Sequence, residues 1–412
     1  MDIKREIQDD RLSFHPSGRR DFLKKGGILT AGLLVGPGML FAGSDGNTSG
    51  VPNSEKTLTN NPEKFSMETN IPTKIDRIIT IEEHFTIKEI SAKVAEFNRL
   101  AGKINPQRAA IQKELMAIVL PTNDDIEDVG ERRIKFMDEA GIDMQVLSYG
   151  ANSPQNITDK ELAIRLCRQA NDMLAVVIEK HPKRFSGFAL LPVADPIAAS
   201  VELERTVSEL GLKGAMLSGT FEGIFFDDSM FLPIFQKAQS LGVPIYMHPA
   251  VIDPKVAGYY FQSQDWSAVA GAMFATAGYG WHVDSGIGIV RMIAAGILDK
   301  LPDLQLISGH WGEFVPFYLN RLDDQLGKTL KLERKISDYY RNNVFVTPAG
   351  LFSENQLKYA IAELGSDRII YSGDYPFLID NNTRGFLEHA SISKEDKRKI
   401  GYANAEHLLK IK

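Results

Sequence analysis

Three of the chain's eight histidines, His84, His248 and His310, stand at the ends of short apolar runs. The fragments are Glu82-Glu83-His84-Phe85, His248-Pro249, His310-Trp311-Gly312-Glu313 and Asp374-Tyr375-Pro376. Alternate residues of a strand share a face, so Glu82 and His84 project into one space. A carboxylate oxygen paired with an imidazole nitrogen suits zinc or manganese. Each fragment also has an ordinary reading. Glu-Glu-His is often solvated surface, His248 and His310 follow apolar runs where a hydrogen-bonded core histidine is common, and Asp374 could cap a helix. One shared cation accounts for all four fragments at once.

The elements that must position them follow from periodicity. Eight strand-like runs recur: Arg77–Ile81, Met144–Ser148, Phe185–Leu190, Gly214–Leu217, Val243–Met247, Leu304–Ile307, Val344–Val346 and Ile369–Tyr371. Amphipathic helical stretches separate most of them, among them 161–180, 198–210, 230–241, 290–299 and 354–364. This alternation predicts an α/β fold with a parallel sheet, and eight repeats predict closure as a (β/α)8 TIM-type barrel. An open α/β sheet is the alternative. In a barrel the active site lies at the C-terminal strand ends, where the four fragments fall after runs one, five, six and eight. The stretch 87–119, between the first and second strands, is longer than a crossover needs and predicts a lid or subunit contact. Residues 401–412 predict a docking helix. Aromatic residues in 249–280, including Tyr259, Tyr260, Phe261, Trp266, Phe274 and Tyr279, could stack on a planar substrate, pack the loop or meet a second subunit.

Composition narrows the function. The 412 residues carry 47 Lys plus Arg against 53 Asp plus Glu, a net charge of −6, which disfavours a nucleic-acid partner. A single cysteine, Cys167, can form neither an internal disulfide nor a multi-thiolate zinc site. No Gly-x-Gly-x-x-Gly follows the first strand, which disfavours a dinucleotide cofactor.

The N-terminus reads as a separate segment. Arg19, Arg20, Phe22, Leu23 and Lys24 precede an apolar, Gly-rich stretch over 26–42, and the pattern resembles a twin-arginine (Tat) export signal. It implies export through the Tat machinery, to the periplasm or, if uncleaved, to the membrane surface. Residues 1–42 are assigned to this signal, 43–74 to a polar linker and 75–412 to the barrel.

The order Glu-x-His, His-Pro, Gly-His-x-Gly-Glu and Ser-x-Asp-x-Pro-Phe resembles the amidohydrolase superfamily. Within it the chain is most similar to the aromatic-acid decarboxylases, which include the γ-resorcylate, 2,3-dihydroxybenzoate, 5-carboxyvanillate and aminocarboxymuconate semialdehyde enzymes. Residues 137–148, 170–175 and 309–313 and the closing Asn404-Ala405-Glu406 carry the likeness further. The resemblance implies that Glu82, His84, His248 and Asp374 bind one divalent metal, Zn or Mn, with no organic cofactor. It implies His310 as a catalytic histidine oriented by Glu313, and Arg321 near the substrate. No lysine stands at the end of the fourth strand to bridge a second metal; Lys213 lies at its beginning.

The expected activity is metal-dependent, non-oxidative decarboxylation of a hydroxylated aromatic or muconate-like acid by a carboxy-lyase, expected to be a dimer or tetramer. Asp374 is the expected proton donor to the ring. The alternative on the same barrel is a mononuclear metal hydrolase of a lactone or amide, with Asp374 as base. A non-catalytic exported binding protein is the third reading.

Overall fold

The computed structural model describes residues 72–103, 105–120 and 124–412. The expected twin-arginine segment lies outside these residues, as does the expected linker apart from its last three positions.

The eight expected runs all form strands or strand-like bridges. They are Ile79–Phe85, Met144–Tyr149, a third interrupted at Phe188 (Phe185–Gly187 and Ala189–Leu190), Ala215–Ser218, Ile245–His248, Leu306–Ser308, Val344–Val346 and the bridged stretch 369–372. All neighbouring pairs are parallel. Two parallel bridges close the ring, Val346 to Ile369 and Ile81 to Ser372. At the interrupted third strand, Phe188 N donates to Leu147 O at 2.9 Å and Ala189 N to Gly214 O at 2.8 Å, so the ladder passes from one neighbour to the other.

The interior confirms the closure. One buried cluster takes Ile79, Ile81, Met144, Val146, Phe188, Met216, Tyr246, Ile307, Phe345 and Ile370, at least one side chain from every strand. Ala405, Leu409 and Ile411 seal its lower end, so the closing segment docks as expected through the helix Asn404–Leu409. A second, larger cluster joins the outward strand faces to the helices.

The helices form for local reasons. In Lys160–Lys180, Ala163, Leu166, Cys167, Ala170 and Leu174 make one buried stripe, and the Asp159 carboxylate accepts from Leu162 N to cap its start. Asn171, within that stripe, turns its amide to the interrupted strand. It accepts from Leu190 N at 2.8 Å and donates to Leu190 O at 3.0 Å, replacing missing ladder bonds. Glycines with positive φ, Gly141 and Gly242, stop the helices Glu131–Ala140 and Leu232–Leu241.

Two insertions rise from the C-terminal strand ends. The first contains the helices Lys88–Leu100 and Pro106–Val119, and the second contains Pro254–Tyr260 and Ala268–Ala275. Pro106–Val119 packs on Ala268–Ala275, so the stretch expected as a lid or subunit contact meets the aromatic loop of the same chain. Phe261 is buried there against Phe274, whereas Tyr259 and Tyr260 are exposed.

The helix Gly280–Ala294 lies directly against the turn that follows the sixth strand. A Cβ on Gly286 would stand 2.3 Å from Glu313 O, a backbone atom with no rotamer to yield. Gly286→Ala should gain about 1 kcal/mol of helix propensity but suffer overpacking of about 1–3 kcal/mol. A lowered urea midpoint is expected; an unchanged or raised midpoint would contradict this packing.

Candidate active site

The first strand reaches the site through an irregularity. Its pairing with the second strand runs Ile81 to Val146 and then Glu83 to Leu147, which leaves Glu82 as the extra residue of a bulge at φ 71°. Simple alternation therefore gives the correct facing of Glu82 and His84 for an incomplete reason. The bulge re-aims Glu82, and Glu83 is turned the other way.

Glu82 is fully buried. Its Oε2 accepts from the Tyr246 hydroxyl and from Thr347 Oγ1, the latter at 2.9 Å. Its Oε1 has no hydrogen-bond partner among the described residues and lies 3.5 Å from His248 Nε2. His248 ends the fifth strand, and its Nδ1 donates to Pro249 O at 2.6 Å, leaving Nε2 with its lone pair toward the centre. His84 Nδ1 lies 3.2 Å from Ser148 Oγ. Its buried Nε2 lacks a hydrogen-bond partner and stands 3.2 Å from Asp374 Oδ1 without the alignment of a hydrogen bond. Ligand atoms of His84, His248 and Asp374 all fall within 4.8 Å of one another.

These separations suit a cation. Metal bonds of about 2.1 Å at tetrahedral or octahedral angles put neighbouring ligand atoms about 3.0–3.5 Å apart. Two buried polar atoms without partners, Glu82 Oε1 and His84 Nε2, are what an ion would satisfy. The electrostatics agree. Burial pushes Glu82 up to about 8, even with His310 beside it pulling the other way. Burial, with His84 beside it, drives His248 well down, so its imidazole is neutral as a ligand must be.

A second group, His282, His310 and Glu313, also brings three candidate ligands together. Here the atoms already bond to each other. His310 Nδ1 donates to Glu313 Oε1 at 2.7 Å, and His282 Nδ1 lies 2.8 Å from Glu313 Oε2. This group is a hydrogen-bonded chain, and the first is the cation candidate. His310 Nε2 lies 3.9 Å from Asp374 Oδ2, which links the two. Burial opposes charge on His310, but Glu313, Glu82 and Asp374 outweigh it and raise its pKa well above the usual imidazole range. Burial likewise opposes charge on Asp374. The neighbouring His310 and His84 imidazoles outweigh that and hold it below the usual carboxylate range.

Strain concentrates here. Residues 310–314 all have positive φ, 48°, 60°, 85°, 54° and 66°, and only Gly312 is glycine. Glu82 and Asp374 share the left-handed region. Each non-glycine residue so placed costs roughly 1–2 kcal/mol. The surrounding contacts hold the turn: Trp311 N donates to Thr347 O at 2.7 Å, Trp311 Nε1 to Leu351 O at 2.8 Å and Tyr340 OH to Gly312 O at 3.2 Å. A Cβ on Gly309 would meet Glu82 Oε1 at 2.7 Å, so the glycine admits the carboxylate.

Behind the cluster sits a polar clamp. Glu83 Oε1 accepts from Gly373 N at 2.7 Å, and Oε2 accepts from Tyr375 N at 3.2 Å and Gln145 Nε2 at 3.1 Å, which grips both sides of Asp374. Arg133 is completely buried, donates to His84 O at 2.5 Å and stands 4.7 Å from the Tyr375 ring centre. Burial raises Glu83 to about 7 and lowers Arg133 to about 10.

Six of the seven residues singled out from sequence come together: Glu82, His84, His248, His310, Glu313 and Asp374. Arg321 does not. It ends the helix Val315–Arg321, which turns Val315, Pro316 and Leu319 inward and leaves Arg321 exposed; among the described residues no hydrogen bond or ion pair ties it to the cluster. Sequence reasoning missed Glu83, Arg133, Gln145, Tyr246, Thr347 and His282. Tyr246 had a usable signal, since it precedes His248 by two on one strand. Thr347 had one too, as the first polar residue after an apolar strand.

Comparison with known proteins gives this site a context. A family model described as amidohydrolase matches residues 85–411. The γ-resorcylate decarboxylase of a Polaromonas species is 35% identical over 344 residues, which is 81% of this chain and 98% of the relative. A solved dihydroxybenzoic acid decarboxylase from Polaromonas, holding manganese and the inhibitor 2-nitroresorcinol, is 33% identical with a TM-score of 0.69, over 82% of this chain and 97% of that one. The 5-carboxyvanillate decarboxylase of Sphingomonas paucimobilis is 28% identical with a TM-score of 0.71, over 82% and 99%.

Removing the cation of the clamp should be destabilising. Arg133→Met strips the hydrogen bonds to His84 O and to Gln145, which itself holds Glu83, so a loss of about 1–3 kcal/mol is expected by chemical denaturation. A loss below about 1 kcal/mol would show that the clamp does not hold the strand ends.

Proposed function

The chain belongs to the amidohydrolase family, and from that premise we propose which of its residues carry the chemistry and on what kind of substrate. The protein is a metal-dependent, non-oxidative decarboxylase of aromatic or muconate-type acids, as its relatives are. The substrate we assign is a benzoate with a hydroxyl beside the carboxylate. The observation that carries the site assignment is the pair of partnerless buried atoms, Glu82 Oε1 and His84 Nε2, facing His248 and Asp374.

Glu82, His84, His248 and Asp374 are the residues that would hold one divalent cation, manganese or zinc. Two carboxylates balance its charge, and when bound it supplies a Lewis acid for the substrate's oxygens. The protein's own residues do the rest. Tyr246 and Thr347 hold one oxygen of Glu82 and leave the other free. Pro249 O fixes the His248 tautomer. A proton adds to the ring carbon that bears the carboxylate. The carbon–carbon bond then breaks, its electron pair restores the aromatic ring, and carbon dioxide leaves. Asp374 is the proposed donor of that proton, drawing it from His310, the group beside it that is favoured to hold one. Glu313 orients His310 through its Nδ1. Arg321 is left without a role within the single chain.

The test is carbon dioxide release from 2,6- and 2,3-dihydroxybenzoate by the metal-loaded protein. Release that stops on chelation and returns with manganese or zinc is expected. His310→Ala should lose at least about 100-fold in kcat while keeping its metal. Opening of lactones or amides without carbon dioxide release would overturn this reading.

We also propose that residues 1–42 direct export by the Tat route, on the strength of Arg19-Arg20 before an apolar run. Full-length protein should leave the cytoplasm, and the Arg19→Lys, Arg20→Lys double variant should not. Equal retention of both would remove the assignment.

A further inference from the structure

The Glu313 carboxylate is shared between two imidazoles, and only one of them faces Asp374. His282 takes the other oxygen at 2.8 Å, its ring 4.3 Å from that of His310. It comes from the helix Gly280–Ala294, at the base of the second insertion, far in sequence from the strand ends. Its own far nitrogen is also engaged. Trp281 Nε1 donates to His282 Nε2 at 3.1 Å, and Ala277 O lies 3.2 Å from the same nitrogen.

An indole nitrogen only donates. Its N–H, aimed at Nε2, requires that nitrogen to accept, which places the His282 proton on Nδ1. Ala277 O competes, because it would be satisfied by a proton on Nε2, but a neutral ring cannot meet both. With the proton on Nδ1, Glu313 Oε2 is satisfied, and the order of donors runs Trp281 to His282 to Glu313. The remaining oxygen, Oε1, then accepts from His310 Nδ1, and His310 presents Nε2 to Asp374. Each member fixes the next, and Glu313 is buried with no other hydrogen-bond partner among the described residues.

We propose that His282 is a positioning residue for the decarboxylation, setting the orientation and tautomer of His310 through Glu313, with Trp281 setting its own. The proposal rests on the decarboxylase reading for its kinetic consequence but not for its tautomers. Without His282, Glu313 has a free buried oxygen and can rotate toward His310 with both, so the imidazole loses its fixed aim at Asp374. Bound metal is unaffected, because His282 touches none of the four proposed ligands.

Two measurements test it. In the metal-loaded protein, 15N NMR of the imidazoles should show His282 protonated at Nδ1, and Trp281→Phe should turn it to a mixture of tautomers. In kinetics, His282→Leu should lose on the order of 10–100-fold in kcat, with KM, metal content and melting temperature near those of the unchanged protein. His282→Asn, whose amide N–H can stand where Nδ1–H stood, should recover most of the loss. Protonation of His282 at Nε2, an unchanged kcat in the leucine variant, or parallel loss of kcat, metal and melting temperature would each overturn the proposal. If the unchanged protein releases no carbon dioxide, the decarboxylase reading fails and the tautomer result alone decides this one.

Discussion

Inside the mouth of the barrel, two carboxylates and two imidazoles from the first, fifth and eighth strand ends are packed against one another. Glu82 Oε1 and His84 Nε2 are buried and without partners, and His248 and Asp374 close the same space. A buried carboxylate so placed is costly, because Tyr246 and Thr347 serve one of its oxygens and neither water nor a donor serves the other. Burial, reinforced by Asp374 and Glu313, lifts Glu82 to about 8 against the pull of His310 and Tyr246. A divalent cation removes that penalty in one stroke, and the rest of the upper face is arranged around the place it would occupy.

Holding such groups close requires a rigid frame and tolerates strain. The frame is the closed ring of strands, whose interior takes a side chain from each of them. The strain is the run of positive φ from His310 to Phe314, together with Glu82 and Asp374. Glycine would adopt these angles freely, but glycine carries no ligand and no base. The chain keeps the functional side chains and holds their backbone by other means. Glu83 and Arg133 clamp the first and eighth strand ends from behind, and Thr347 O and Leu351 O hold Trp311. Buried charge is therefore used twice, once facing the substrate and once locking the residues that face it.

Much of this was legible in the sequence. The eight strands were readable because parallel barrel strands are buried on both faces and so appear as short, nearly continuous apolar runs. Ligands at the ends of those runs stood out because His and Asp there break an apolar pattern. What stayed hidden depends on contacts between distant segments. Glu83 reads as half of a solvated Glu-Glu pair, yet it is buried against Gly373 and Tyr375 through a bulge that no local pattern announces. Arg133 lies in the charged run Glu131-Arg132-Arg133 and would be placed on a surface, yet it is fully buried. His282 sits in a Gly-rich helix, and its link to Glu313 spans 31 residues. Arg321 shows the converse, a motif position whose side chain is exposed on the single chain.

The most direct measurement is the anomalous scattering of manganese in crystals of the metal-loaded protein. One peak bonded to Glu82, His84, His248 and Asp374, at about 2.0–2.3 Å, is the predicted result. A peak at His282, His310 and Glu313 instead, or none at either place in protein that releases carbon dioxide, would contradict the account.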